Sequence, residues 1–148
     1  ASRDLSPDEM VRVARQAVLA AERGVHDQVL GELRRGRKQS HWMWFVFPQI
    51  EGLGGSSMAR RYAIASREEA AAYLAHPVLG PRLTQVSEAA IAAEGTARTV
   101  FGTPDDLKLR SCATLFAQVA PKPSVFERLL ARYFAGEPDE ATLRKLGA

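Results

Sequence analysis

Gly36-Arg37-Lys38-Gln39-Ser40-His41-Trp42-Met43-Trp44-Phe45-Val46-Phe47-Pro48-Gln49-Ile50 is the stretch that decides how this chain folds. It holds both tryptophans, and seven of the eight residues from Trp42 to Gln49 are aromatic, aliphatic or proline. A run this apolar is driven out of water, because so much contiguous aromatic surface invites association when exposed. The sequence therefore predicts a buried plug with a polar collar, Arg37, Lys38, Ser40 and His41, at its mouth. Ser40 reads as the N-cap of a short helix carrying Trp42 to Phe47, and Pro48 as its stop. The β-branched and aromatic content suits a strand equally well. No second convincing strand exists to pair with it, so the helical reading is preferred.

Helices follow on both sides. Upstream, Ser6-Pro7-Asp8-Glu9 carries a capping box with proline at the first helical position. Met10, Val13, Ala14, Ala17, Val18 and Ala21 then recur at helical spacing, and the stripe resumes in phase at Val25, Val29, Leu30 and Leu33. This predicts one long helix to about Arg35, bent near Gly24 and ended by Gly36. His26 lies on the stripe and reads as a hydrogen-bonded histidine at the core edge.

Downstream, Gly52, Gly54 and Gly55 mark a connection. Their spacing matches neither the P-loop nor the dinucleotide fingerprint, although with Ser56 and Ser57 they would make a nest of amides suited to an anion. Met58 to Ile64 reads as a short helix, and Ser66 to Glu69 as a second capping box. A helix begins at Pro81, and Thr96 to Phe101 forms a helical turn. Thr103 is read as a cap with Pro104 in the first helical position, opening a helix through Val119 that is apolar nearly all round beyond Ser111. Ser124 with Glu127 makes a third capping box, and Pro138 begins a last short helix.

The 148 residues, 46% hydrophobic and 25% charged, suit one globular domain spanning 1–148. The fold class read from this pattern is all-α, with central buried helices wrapped by peripheral ones. No apolar run approaches a bilayer span, and the start of the sequence lacks the apolar core of a secretory signal. Cys112 is the single cysteine, so the expected compartment is the cytoplasm and a thiolate metal site is excluded. Net charge is +3, with basic and acidic residues interspersed and no nucleic-acid motif, which argues against nucleic acid as a partner, as the short apolar runs argue against a membrane.

The stretches GRKQSHWMWFVFPQIEGLGGS (36–56), RRYAIAS (60–66), EAAAYLAHPVLGPRL (69–83) and VFGTPDDLKLRSCATLF (100–116) resemble a bacterial family known as domain of unknown function eighteen-ten. The resemblance is collinear from Ala21 to Leu146. It implies an all-helical fold with wrapped central helices and no established activity. The chain departs from the family pattern at Glu22 and His26, where the family usually has glutamine and tyrosine.

Two motifs place charge beside apolar sequence. One offers Arg37, Lys38, Ser40 and His41; the other offers Asp105, Asp106, Lys108, Arg110 and Ser111. If they converge, Arg37, Lys38, Lys108, Arg110, Ser40 and Ser111 would hold a small anionic ligand, nucleotide-like or phosphorylated. Trp42 or Trp44 would stack a ring, and His41, Asp105 or Asp106 would act as acid or base in a hydrolysis. The competing reading is structural. Asp106 with Arg110 and Asp105 with Lys108 are spaced to pair along one helix. The basic outer faces would then serve an acidic protein partner. No cofactor is assigned. No metal is assigned either, although Asp105 and Asp106 would admit magnesium.

Overall fold

The computed structural model describes residues 24–147. The expected cap at Ser6, the stripe from Met10 to Ala21, and Glu22 lie outside the described residues. Among those described, nine helices form one compact all-α domain with no sheet: α1 His26–Arg34, α2 Met43–Val46, α3 Ser57–Tyr62, α4 Arg67–Ala75, α5 Leu79–Ala92, α6 Ala97–Phe101, α7 Asp105–Ala117, α8 Val125–Phe134 and α9 Glu140–Lys145. No helix among them is long and apolar enough to cross a membrane.

At the centre lies α7. Leu109 and every residue from Ser111 to Ala117 are buried, as the all-round apolar pattern requires. Around it pack α8, α6, α9 and α4, while α5 packs against α1, α4 and α8. Cys112 sits in this centre with no exposure, and burial raises its thiol pKa well above the ordinary value. The tryptophan-rich stretch enters from one side: Trp42, Met43, Phe45, Val46 and Phe47 are buried. Their rings continue as a chain, from Trp42 to Phe47 at 6.2 Å, Phe47 to Phe101 edge-on at 5.9 Å, and Phe101 to Tyr133 at 6.3 Å. Each fully buried side chain of this size contributes roughly 1.5–3 kcal/mol, so the plug is a principal anchor of the fold.

Several expected boundaries move, each for a local reason. Gly24 has φ +76°, a left-handed conformation that a continuous helix cannot contain, so α1 starts at His26 instead of running through. Its end matches expectation: the N–H of Gly36 reaches Leu33 O and that of Arg37 reaches Glu32 O, with Gly36 at φ +75°. Ser40 is not a cap; α2 starts at Met43 after Trp42, and the Ser40 hydroxyl is committed elsewhere. The chain turns extended at Ala63, so α3 stops at Tyr62 and Ile64 forms a parallel bridge with Ile50. Ser66 accepts the Glu69 N–H, but the Glu69 carboxylate accepts from Ala65 rather than closing a capping box. The helix expected at Pro81 begins at Leu79, because Nδ1 of His76 accepts the N–H groups of Val78 and Leu79 and caps it.

Pro104, not Thr103, occupies the cap of α7 and carries no side-chain cap bond. The last helix begins at Glu140 and not at Pro138, because Asp139 caps it by accepting the Thr142 N–H at 3.0 Å.

Candidate functional site

The site is built on the end of α1. Because Gly36 turns the chain back through its left-handed φ, residues 37–42 run across the last turn of that helix. There they meet Glu32, which shares the stripe with Val29 and Leu33 and is only 1% exposed. One Glu32 oxygen accepts the N–H groups of Gln39 at 2.7 Å and Ser40 at 3.0 Å, and the indole N–H of Trp42 at 3.0 Å. The other accepts the Ser40 hydroxyl at 2.7 Å and the Gln28 amide at 3.2 Å. Burial is the largest influence on this carboxyl and pushes its pKa up. The donors from Gln39, Ser40 and Trp42 together outweigh it and bring the value down to about 2. Glu32 is therefore a buried carboxylate held by neutral donors. It fixes the strap 37–42 and orients Trp42.

The strap delivers Lys38. Its backbone N–H donates to Val100 O at 2.7 Å, and its amine donates to Ser40 O at 2.6 Å. The same amine lies 2.9 Å from Asp105 in the first turn of α7, with the two side chains 8% and 19% exposed. Lys108, one turn along, approaches the other Asp105 oxygen at 3.5 Å. Lys38 lies 5.0 Å from the Trp42 ring centroid and Lys108 lies 5.2 Å from that of Trp44. The two motifs thus meet at one carboxylate between two amines, each amine lying over an indole. Trp42 is fully buried, whereas Trp44 is half-buried and reaches the surface.

Beside Lys108 opens a cleft of about 280 Å³, whose walls include Gln49, Leu53, Pro104, Leu107 and Ser111. Leu107 is 56% exposed there. Of the remaining expected residues, Ser111 lines this cleft and Arg37, His41, Asp106 and Arg110 do not. His41 and Arg37 are exposed, and neither side chain hydrogen-bonds or pairs with another described residue. Asp106 turns back onto its own helix and accepts the Leu107 N–H at 2.9 Å. Arg110 is drawn away to Glu137, donating to its carbonyl at 3.0 Å, and does not pair with Asp106. Ser111 donates to Leu107 O and Asp139.

His26, the core-edge histidine, shares a hydrogen bond of 2.7 Å with Gln85. It borders a separate cleft of about 760 Å³ between α1 and α5 that contains no residue of either motif. Among the described residues no group of three or more His, Cys, Asp or Glu is gathered to hold a metal ion.

Glu32 is the residue that sequence reasoning missed. The signal was present: a carboxylate falls three residues after Val29 and one before Leu33, on the apolar stripe itself. An acid there must find donors, and the adjacent strap supplies them.

The family described as Protein of unknown function (DUF1810) matches residues 13–146, and the chain belongs to it. Its fold is also that of a solved structure, the conserved hypothetical protein Rv1873 from Mycobacterium tuberculosis. The two are 45% identical with a TM-score of 0.88, over 93% of this chain and 99% of that one. No curated protein matches the chain.

Proposed function

We propose that this protein binds a small anionic ligand carrying a flat ring, nucleotide-like or phosphorylated, where Lys108, lying over the Trp44 indole, borders the cleft at Leu53 and Pro104. The observation that carries the reading is the stoichiometry around Asp105: one carboxylate serves two ammonium groups, Lys38 and Lys108. The Lys38–Asp105–Lys108 trio therefore retains one surplus positive charge beside a half-buried indole, the two elements that a phosphorylated ring compound needs, while the Asp139 carboxylate that also lines the cleft is occupied by Ser111 and Thr142. Lys108 is the more exposed amine and is the one available to turn toward a ligand. For hydrolysis, His41 is the available acid or base, since its ring has no partner among the described residues. Asp105 is occupied by the two lysines, and Asp106 by its own helix. We also assign a cytoplasmic location, on the single buried thiol that a reducing compartment preserves.

The test is a thermal-shift panel of nucleotides, sugar phosphates and organic acids, run on the wild type and on Lys108→Gln and Trp44→Phe. Stabilisation of the wild type that is lost in both variants supports the reading. No shift with any compound sinks it. Turnover abolished in His41→Gln with an unchanged melting temperature would extend the reading from binding to hydrolysis.

A second reading is favoured by the closure of the Lys38 contacts. Its amine, nearly buried, is held by Asp105 and Ser40 O and lies over the Trp42 ring, which is what a lock between the strap and α7 requires. The charges would then be structural, and the outer arginines, among them Arg34, Arg35, Arg60 and Arg61, would face an acidic protein partner. In that case Asp105→Asn lowers the melting temperature, no small ligand raises it, and a salt-sensitive partner is captured through the arginines.

A further inference from the structure

Leu53 and Gly54 of the glycine connection between α2 and α3 border the site above. On its other side lies a cleft of about 460 Å³ lined by Glu51, Gly52, Gly54, Arg60 and Lys145, with Ile50 and Ala65 as its apolar wall. Arg60 comes from α3 and Lys145 from the last turn of α9, so two elements distant in sequence bring their cations to one concavity. Neither side chain has an ion pair or hydrogen bond with another described residue. By contrast, Lys38, Lys108, Arg110, Lys122, Arg128 and Arg132 are all engaged with carboxylates or carbonyls.

The connection is also shaped to receive Lys145. Gly52 sits at φ +91°, and a Cβ placed there would lie 2.7 Å from the Lys145 amine. The missing side chain lets that amine lie directly against the backbone. With Glu51 on the rim, the three charged side chains leave one net positive charge and one carboxylate acceptor.

We propose that this cleft is a second anion site, taking the phosphate group of a small hydroxylated molecule. Arg60 supplies a planar pair of donors to the phosphate oxygens, and Lys145 supplies a point charge. Glu51 accepts from a hydroxyl of the same ligand.

The experiment is a titration of the full chain with inorganic phosphate and with glycerol phosphate, followed by backbone amide resonances at constant ionic strength. Saturable shifts at Glu51, Gly52 and Lys145 are expected. Arg60→Gln/Lys145→Gln should weaken binding at least about tenfold, the loss of one charge-assisted contact or more. Gly52→Ala, which pushes the amine off the backbone, should weaken it in the same direction. Lys108→Gln should leave these shifts intact, so failure here and failure of the Trp44 site are read separately. The proposal is overturned if the resonances do not move or if Arg60→Gln/Lys145→Gln binds phosphate like the wild type. It is equally overturned if the control Arg34→Gln/Arg98→Gln, with the same loss of charge, weakens binding as much.

Discussion

The Glu32 carboxylate accepts the indole N–H of Trp42 at 3.0 Å, and both side chains are shut away from water. Replacing Glu32 by Gln keeps the shape but turns an amide nitrogen toward groups that are themselves donors. The expected cost is roughly 2–3 kcal/mol of folding stability, since hydrogen bonds to a charged group are the stronger kind. Chemical denaturation of the variant measures it, and a midpoint equal to the wild type would falsify the cradle.

Glu32 also makes an acid-dependent prediction. Its folded pKa, about 2, lies below the ordinary 4.5, so the ionised form favours the fold. The stabilisation is complete above about pH 4.5 and drains away as pH falls toward 2. Glu32→Gln should flatten the acid limb of the stability curve over that window. An acid limb as steep in the variant as in the wild type would assign the effect to other carboxylates.

Glu69 should behave in the opposite sense. It is 3% exposed, and its pKa is raised, first by burial and then by the nearby charge of Glu51, against the opposing hydrogen bond from Ala65. The neutral form therefore favours the fold, and stability falls as pH rises from the unfolded value of 4.5 through the folded one. Glu69→Gln retains an oxygen for the Ala65 N–H and removes the buried charge. The variant should match or exceed the wild type at neutral pH, with its relative advantage shrinking in acid. Thermal melts at two pH values decide this, and a variant much weaker at neutral pH contradicts it.

Asp105 holds two amines, so its loss costs more than the loss of either partner. Asp105→Asn should destabilise by roughly 2 kcal/mol because it strands the nearly buried Lys38. Lys108→Gln removes the more exposed contact and should cost under about 1 kcal/mol. Similar losses from the two variants would mean that Asp105 does not join the strap to α7.

Gly80 on α5 faces the end of α4 so closely that a Cβ would lie 2.1 Å from the Leu74 carbonyl oxygen. Gly80→Ala forces backbone apart and should cost roughly 1–3 kcal/mol despite the better helix propensity of alanine. A stabilised Gly80→Ala in a melting experiment would show that these helices do not approach so nearly.

Much of the architecture could be read from local chemistry. The apolar ring around α7, the aromatic plug and the turn at Gly36 follow from spacing and from what glycine permits. What escaped involves competition between groups distant in the chain. Ser40 looked like a cap because serine caps helices, but the Glu32 oxygen eight residues back took its hydroxyl. His76 caps α5 through Nδ1, and which backbone amides it serves depends on how the chain turns at Pro77. The convergence of the two motifs is suggested by charge set beside apolar sequence, but that Lys38 is the cation meeting Asp105 is not legible, because spacing along α7 says nothing of what lies across from it. Arg110 illustrates the converse. Its spacing from Asp106 suits a pair, yet the carbonyl of Glu137, 27 residues on in the chain, takes its guanidinium instead.

The neighbouring indoles have different fates, and this gives the protein two built-in optical reporters. Trp42, sealed and bonded to a carboxylate, senses whether the interior is intact. Trp44, half-open beneath the Lys108 amine, senses what arrives at the surface. Emission from a Trp44→Phe chain would therefore track unfolding alone, and the difference from wild type would isolate events at the mouth of the cleft.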